Sequence, residues 1–155
     1  MSEYKEIKSF DDLLKIRTGN KYKLVCDIDC KKQPISKILG DFSGEIDGCG
    51  YSISNLILKE SQVKYDAQPI SLFYTMKRAE IKNLRFVDLK IDLPKTNYDM
   101  NVAGLCVNAS DSIFKNISFD SLISNEKELP LIYDSNNCKY SNIKLPSNMV
   151  IAKYE

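Results

Sequence analysis

Four segments of the chain share one pattern, apolar-x-Asn-apolar-x-apolar: ISNLIL (53–58), IKNLRF (81–86), FKNISF (114–119) and YSNIKL (140–145). Their asparagines, Asn55, Asn83, Asn116 and Asn142, stand 28, 33 and 26 residues apart. For the last three the match runs backwards without a gap, through SLFYTMKRAEIKNLRF, GLCVNASDSIFKNISF and PLIYDSNNCKYSNIKL. Leu72, Leu105 and Leu131 each stand eleven residues before their Asn, and the small residues Ala79, Ser112 and Cys138 each stand four before it. A chain that repeats in this way is built of stacked copies of one unit, which excludes most other folds.

The period inside each unit is two. Ile70, Leu72 and Tyr74 alternate with their neighbours, as do Ala103, Leu105 and Val107, and Leu129, Leu131 and Tyr133. Leu84 and Phe86, Ile117 and Phe119, and Ile143 and Leu145 do the same. Short alternating strands recurring at this spacing predict an all-β, right-handed parallel β-helix, or β-solenoid, of about four to five rungs. The chain is read as one domain, 1–155, with rungs over 22–151. The Asn column then has a physical role. Asn tolerates the left-handed conformation that a sharp corner needs, and stacked Asn amides bond to one another as a ladder. Asn116 also heads the glycosylation sequon NIS, but on this reading its side chain points inward.

The ends are expected to differ. SFDDLLKIRTGN predicts a capping helix over 9–18, with Ser9 as its N-cap, Asp11 and Asp12 in the first turn and Gly19 stopping it. YKLVCDID then starts the first rung. SNMVIAKYE closes the chain as a short apolar strand with no helix after it, an edge on which a second copy could stack to give a homodimer.

Composition removes whole classes of function. Histidine is absent. That removes Ser-His-Asp and Cys-His nucleophile pairs, His general bases and HExxH zinc sites. A net charge of +1 predicts no nucleic-acid footprint. Five cysteines in no zinc pattern fit a reduced chain, no apolar leader opens the sequence, and no run is long enough to span a bilayer. The expectation is a cytoplasmic protein without cofactor or metal.

Several stretches invite a site. FSGEIDGCGYSISNL (42–56) holds Asp47 among glycines, but a strand follows instead of a helix. It therefore reads as a tight corner whose acid bonds the amides of its own turn. CDIDC (26–30) offers two acids and two thiols, on opposite faces of a strand. Asp88, Asp120 and Asp134 are the candidate acids for a glycosidase, and they do not share a column. If Leu72, Leu105 and Leu131 point inward, then Phe73, Cys106 and Ile132 line one outer face. Tyr65 and Tyr98, in the polar insertions 59–69 and 92–101, would rim such a face.

The order of helix, YKLVCDID, FSGEIDGCGYSISNL and IKNLRF resembles the right-handed β-helices of GLUG-type repeat proteins. It is also similar to the β-helical region of IgA-cleaving metallopeptidases. The resemblance covers 7–119 best and implies the scaffold alone, because the peptidases' metal motif needs histidine. The function expected is non-enzymatic: binding another protein through an outer face or inserted loops. One version is a phage or mobile-element inhibitor of a bacterial defence nuclease complex of the CRISPR kind. The alternatives are a carbohydrate-binding or polysaccharide-degrading β-helix, and a structural module that assembles end to end.

Overall fold

The structure is a computed structural model that describes residues 3–35, 39–59, 69–92, 101–124 and 128–155. The chain opens with β1 (Tyr4–Ile7) and a single helical turn, α1 (Phe10–Leu14). A first pass follows as β2 (Lys21–Leu24), β3 (Ile28–Asp29), β4 (Pro34–Ile35) and β5 (Asp41–Phe42). The second is β6 (Glu45–Asp47), β7 (Ser52–Ser54), β8 (Ile57–Lys59) and β9 (Phe73–Lys77). The third is β10 (Glu80–Val87), β11 (Leu89–Asp92) and β12 (Cys106–Ser110). The fourth is β13 (Ile113–Phe119), β14 (Leu122–Ile123) and β15 (Leu129–Asn136), and the chain ends with β16 (Lys139–Lys144) and β17 (Met149–Tyr154).

These strands form three sheets, and every pairing described is parallel. The first sheet runs β1-β2-β6-β10-β13-β16, with β3 and β7 paired beside it; the second is β4-β8-β11-β14; the third is β5-β9-β12-β15-β17. Parallel partners need a long crossover. From β2 to β16 each crossover passes through the other two sheets before returning, whereas β1 reaches β2 through α1 and β15 reaches β17 through β16 alone. In the first sheet Tyr22, Ile46, Ile81, Phe114 and Tyr140 are successive partners. Between the sheets lies one apolar core. Phe114 and Ile117 are 0 % exposed, and rings stack along its columns, Phe86 on Phe119 at 4.5 Å and Phe114 on Tyr140 at 5.3 Å.

Asparagine turns a corner, as expected, at all four positions named, and three of them share one corner. Asn83, Asn116 and Asn142 have φ of 56°, 54° and 50°. Asn116 Nδ2 donates to Asn83 Oδ1 at 3.0 Å, and Asn142 Nδ2 to Asn116 Oδ1 at 2.8 Å. Asn83 in turn donates to Asp47 Oδ1 at 3.1 Å, so the ladder ends on a carboxylate. Asp47 also accepts from the Cys49 backbone N–H at 2.8 Å, the turn bond expected of it. The side chains sit outside the corner, not inside: Asn116 and Asn142 are exposed, which corrects the inward orientation.

Asn55 belongs to a different corner. Asp47 pairs with Lys82 and Ser52 with Arg85, so four residues, Gly48 to Tyr51, stand where the next pass has two. Those two extra residues shift everything after them. ISNLIL therefore aligns with FVDLKI (86–91), and Asn55 (φ 58°) matches Asp88 (φ 55°). Asn55 bonds Asp29 at 3.0 Å, outside the ladder of the other three. Gly48 is required where this wide turn crosses the neighbouring strand, since a Cβ there would lie 2.3 Å from the Asn83 carbonyl oxygen.

The N-terminal expectation is corrected in two ways. The helix spans five residues instead of 9–18. Ser9 is its N-cap, accepting from the Asp12 N–H at 3.2 Å, and it ends at Leu14 because the chain must swing Ile16 into the core. The outermost strand of the first sheet is β1, not YKLVCDID: YKEI (4–7) pairs with β2 along its length.

Asn116→Ala is expected to cost about 1–3 kcal/mol, from two lost amide bonds and the strain of a Cβ in the left-handed region. Asn116→Gly should cost less, since it removes the bonds without the strain. Urea unfolding compares them, and equal losses would mean that the left-handed corner contributes nothing.

Candidate functional site

The structure places the expected outer column inside. Phe73, Cys106 and Ile132 are 2 %, 0 % and 0 % exposed, and they belong to the core together with Leu72, Leu105 and Leu131. The chain bends at Ser71–Leu72 and at Gly104–Leu105, just before the third sheet begins. Side chains on the two sides of a bend can both face the core, so strict alternation fails there. The phase changes by one residue, and a one-residue change exchanges the faces of a strand. Tyr65 and Tyr98 lie outside the described residues.

What faces out of the third sheet is the next column along. The pairings of Cys106 with Phe73 and Ile132, and of Asn108 with Thr75 and Asp134, set Val107 between Tyr74 and Tyr133. Tyr74 is 41 % exposed and Tyr133 half-buried, while Val107 is buried. β17 extends the row with Lys153, which the register sets beside Tyr133, and places Tyr154 beside Asp134. Tyr154, 53 % exposed, meets the Tyr133 ring edge-on at 5.5 Å. Lys153 Nζ lies 5.3 Å from the Tyr133 ring centre and 5.7 Å from that of Tyr154. Such cation–π contacts hold a charge and two rings in a fixed array. Thr75, Asn108 and Asp134 run alongside as a polar column. The face combines rigid amphipathic rings with hydrogen-bonding groups on an ordered sheet, a chemistry suited to recognition.

The sequence contained this column, since Tyr74, Val107 and Tyr133 occupy one place in the sixteen-residue match. Period two, carried unbroken through the bend, places it in the interior. The bend follows Ser71 in one unit and Gly104 in the next, small residues that could have marked it.

The first sheet carries charge instead. Lys82 Nζ lies 3.1 Å from Glu45 and 3.7 Å from Glu80, and Lys115 reaches Glu80 at 3.2 Å. The Tyr4 hydroxyl also donates to Glu45. Burial works to raise the Glu45 carboxyl, but the Tyr4 hydroxyl and the Lys82 ammonium outweigh it and hold it below the usual range. Arg85 grips Asp120, its Nε at 2.9 Å. A shallow depression of about 540 Å³ lies beside this pair, lined among others by Asp47, Cys49, Asn83, Arg85 and Asn116.

Two of the three candidate acids are bonded within the wall. Asp120 is held by Arg85, Asp88 Oδ1 accepts from the Ser121 hydroxyl at 2.6 Å, and Asp134 stands on the third sheet. In CDIDC, Asp27 accepts from the Ser52 N–H at 2.9 Å and Asp29 from the Lys31 N–H at 2.8 Å. Cys30 is buried while Cys26 lies near the surface. Among the described residues no group of three or more His, Cys, Asp or Glu is placed to hold a metal ion. All five thiols are free. Burial, with the Asp29 carboxylate, pushes Cys30 up to about 12, and burial raises Cys106 as well, so both remain protonated and weakly nucleophilic.

No protein-family model, curated protein or solved structure matches the chain. Among the described residues no helix is long and apolar enough to cross a membrane.

Burial pushes the Asp47 carboxyl up, but the Cys49 N–H, the Asn83 amide and the Lys82 ammonium together hold it below its ordinary value. A depressed carboxyl stabilises the fold above its unfolded pKa of about 4, and the contribution is lost as pH falls through the lower folded value. The stability gap between the native chain and Asp47→Asn should therefore narrow as pH drops from about 5 to about 2. Urea titrations across that range check it; a gap independent of pH would sink the assignment.

Proposed function

We propose that the three sheets are the faces of a right-handed parallel β-helix that acts as a non-enzymatic binding scaffold, docking another protein on the outer face of the third sheet. The recurring order of first, second and third sheet supports the coil, as does the likeness of FSGEIDGCGYSISNL to GLUG-type repeats. The observation that carries the function is the row Tyr74, Val107, Tyr133 and Lys153, with the Tyr154 ring packed edge-on against Tyr133. Tyr and Trp are enriched at recognition surfaces because they bury much area for little lost rotamer freedom. In its narrower form the partner is a bacterial defence nuclease complex and the chain an inhibitor carried by a phage or mobile element. That form rests on the small, Lys- and Asn-rich character of the chain.

A second reading is a carbohydrate-binding β-helix, favoured by the same row. Tyr74 and Tyr133 lie two strand spacings apart, about 9.5 Å, on a flat face where sugar rings could stack.

The double variant Tyr74→Ala/Tyr133→Ala separates the readings. Affinity capture with the native chain, from bacterial extract and from a reconstituted CRISPR-type nuclease complex, should retain a protein that the variant loses by about 10-fold or more, with little change in melting temperature. Calorimetric titration with soluble polysaccharides should give no heat. Heat with polysaccharide that the variant abolishes would favour the second reading, and equal capture by both chains would remove the face from the function.

A further inference from the structure

The two ends of the first sheet are built differently. At one end β1 is the outermost strand, and α1 follows it, with Leu13 and Ile16 buried at 2 % each. At the other end β16 is outermost, paired with β13 on one side and with no strand on the other among the described residues. Its core-facing side chains lose their cover. Phe114, Ile117 and Phe119 on β13 are 0 %, 0 % and 3 % exposed, whereas Tyr140, Ile143 and Leu145 above them are only half-buried. Tyr140 stacks one ring face on Phe114 with the planes 12° apart.

Two further features of this edge are specific. The amide ladder stops at Asn142, which donates to Asn116, and among the described residues nothing donates to its own Oδ1. Lys139 and Lys144, both exposed on β16, have no acidic partner among the described residues. Two lysines deeper in the same sheet are answered by an acid on an adjacent strand, Lys82 by Glu45 and Lys115 by Glu80, whereas Lys21 and Lys23 on β2 form no ion pair among the described residues.

We propose that the β16 edge takes an extended acidic segment of another protein as an added strand. Its apolar side chains would cover Tyr140 and Ile143, its carboxylates would meet Lys139 and Lys144, and a donor at the corner would reach Asn142 Oδ1. Strand addition supplies affinity through the backbone and selectivity through alternate side chains. A second copy of this chain fits less well. A two-fold pairing sets a patch against itself, which brings the two lysines of one copy towards those of the other, a like-charge juxtaposition that costs binding. The surface is separate from the tyrosine row, so the two proposals stand or fall independently.

The test uses the full chain and two fluorescent ten-residue peptides, one centred on Glu-Val-Ser-Asn-Val-Glu to match positions 139–144 across the Asn142 corner, and its twin with Lys in place of both Glu. Fluorescence anisotropy should show the Glu peptide binding at least about 10-fold more tightly than the Lys peptide, and Lys139→Glu/Lys144→Glu should reverse that order. Circular dichroism checks that the variant is folded. Hydrogen exchange should show the β16 amides that point away from β13 unprotected in the free chain and slowed by the Glu peptide. Equal binding of the two peptides, or no binding to a folded chain, would overturn the proposal. So would protection of those outward amides in the free monomer, which would mean that a segment of this chain covers the edge. A dimer in sedimentation whose formation protects those same amides would assign the edge to a second copy and overturn the proposal.

Discussion

The structure depends on a corner residue held in the left-handed region. Asn83, Asn116 and Asn142 each turn the chain at one place on successive strands, and each amide bonds the next. The cost of the unusual φ is modest for Asn, and it recurs in register, so it sets where each strand of the first sheet bends. Once the bends coincide, the side chains before and after them coincide. Ile81, Phe114 and Tyr140 stack on one side of the corner, and Leu84, Ile117 and Ile143 on the other. The core follows from the corner as much as from hydrophobicity.

A ladder of amides needs ends. Asp47 supplies one, as an acceptor that also ties its own turn through the Cys49 N–H. The DGCG turn therefore works as a terminus. Its acid receives the last amide, Cys49 takes the left-handed position with φ 53°, and Gly48 lets the loop press against the Asn83 backbone. The other end, at Asn142, has no such acid among the described residues. The chain closes one end of its ladder with a carboxylate and leaves an acceptor and two lysines at the other, the asymmetry on which the strand-addition proposal rests.

Charge and aromatic surface are kept on separate sheets. The first sheet interleaves Glu45, Glu80, Lys82 and Lys115 so that each cation has an acid on an adjacent strand. The half-exposed Lys115–Glu80 pair adds little stability singly, while Lys82 and Glu45 are largely covered. The third sheet carries Tyr74, Tyr133 and Tyr154 instead, with Lys153 laid over the rings. The same backbone pattern thus presents two chemically different walls, and only the second offers a continuous apolar-aromatic row.

Much of this was legible in the residues alone. The Asn pattern and the sixteen-residue match identified the repeat, the parallel strands, the left-handed asparagines and the turn role of Asp47, because these are local requirements of backbone conformation and period. Ser9 was legible as a cap for the same reason. Only the tertiary structure could decide that Asn55 turns a different corner, since the two extra residues of the 48–51 turn matter only through strand pairing. Only it could decide that Phe73, Cys106 and Ile132 lie inside, and that Tyr74 and Tyr133 face out with Val107 buried between them. Period two records which side chains alternate, but the face each side takes is set by a bend that has no period, and the packing of three sheets against one another places that bend.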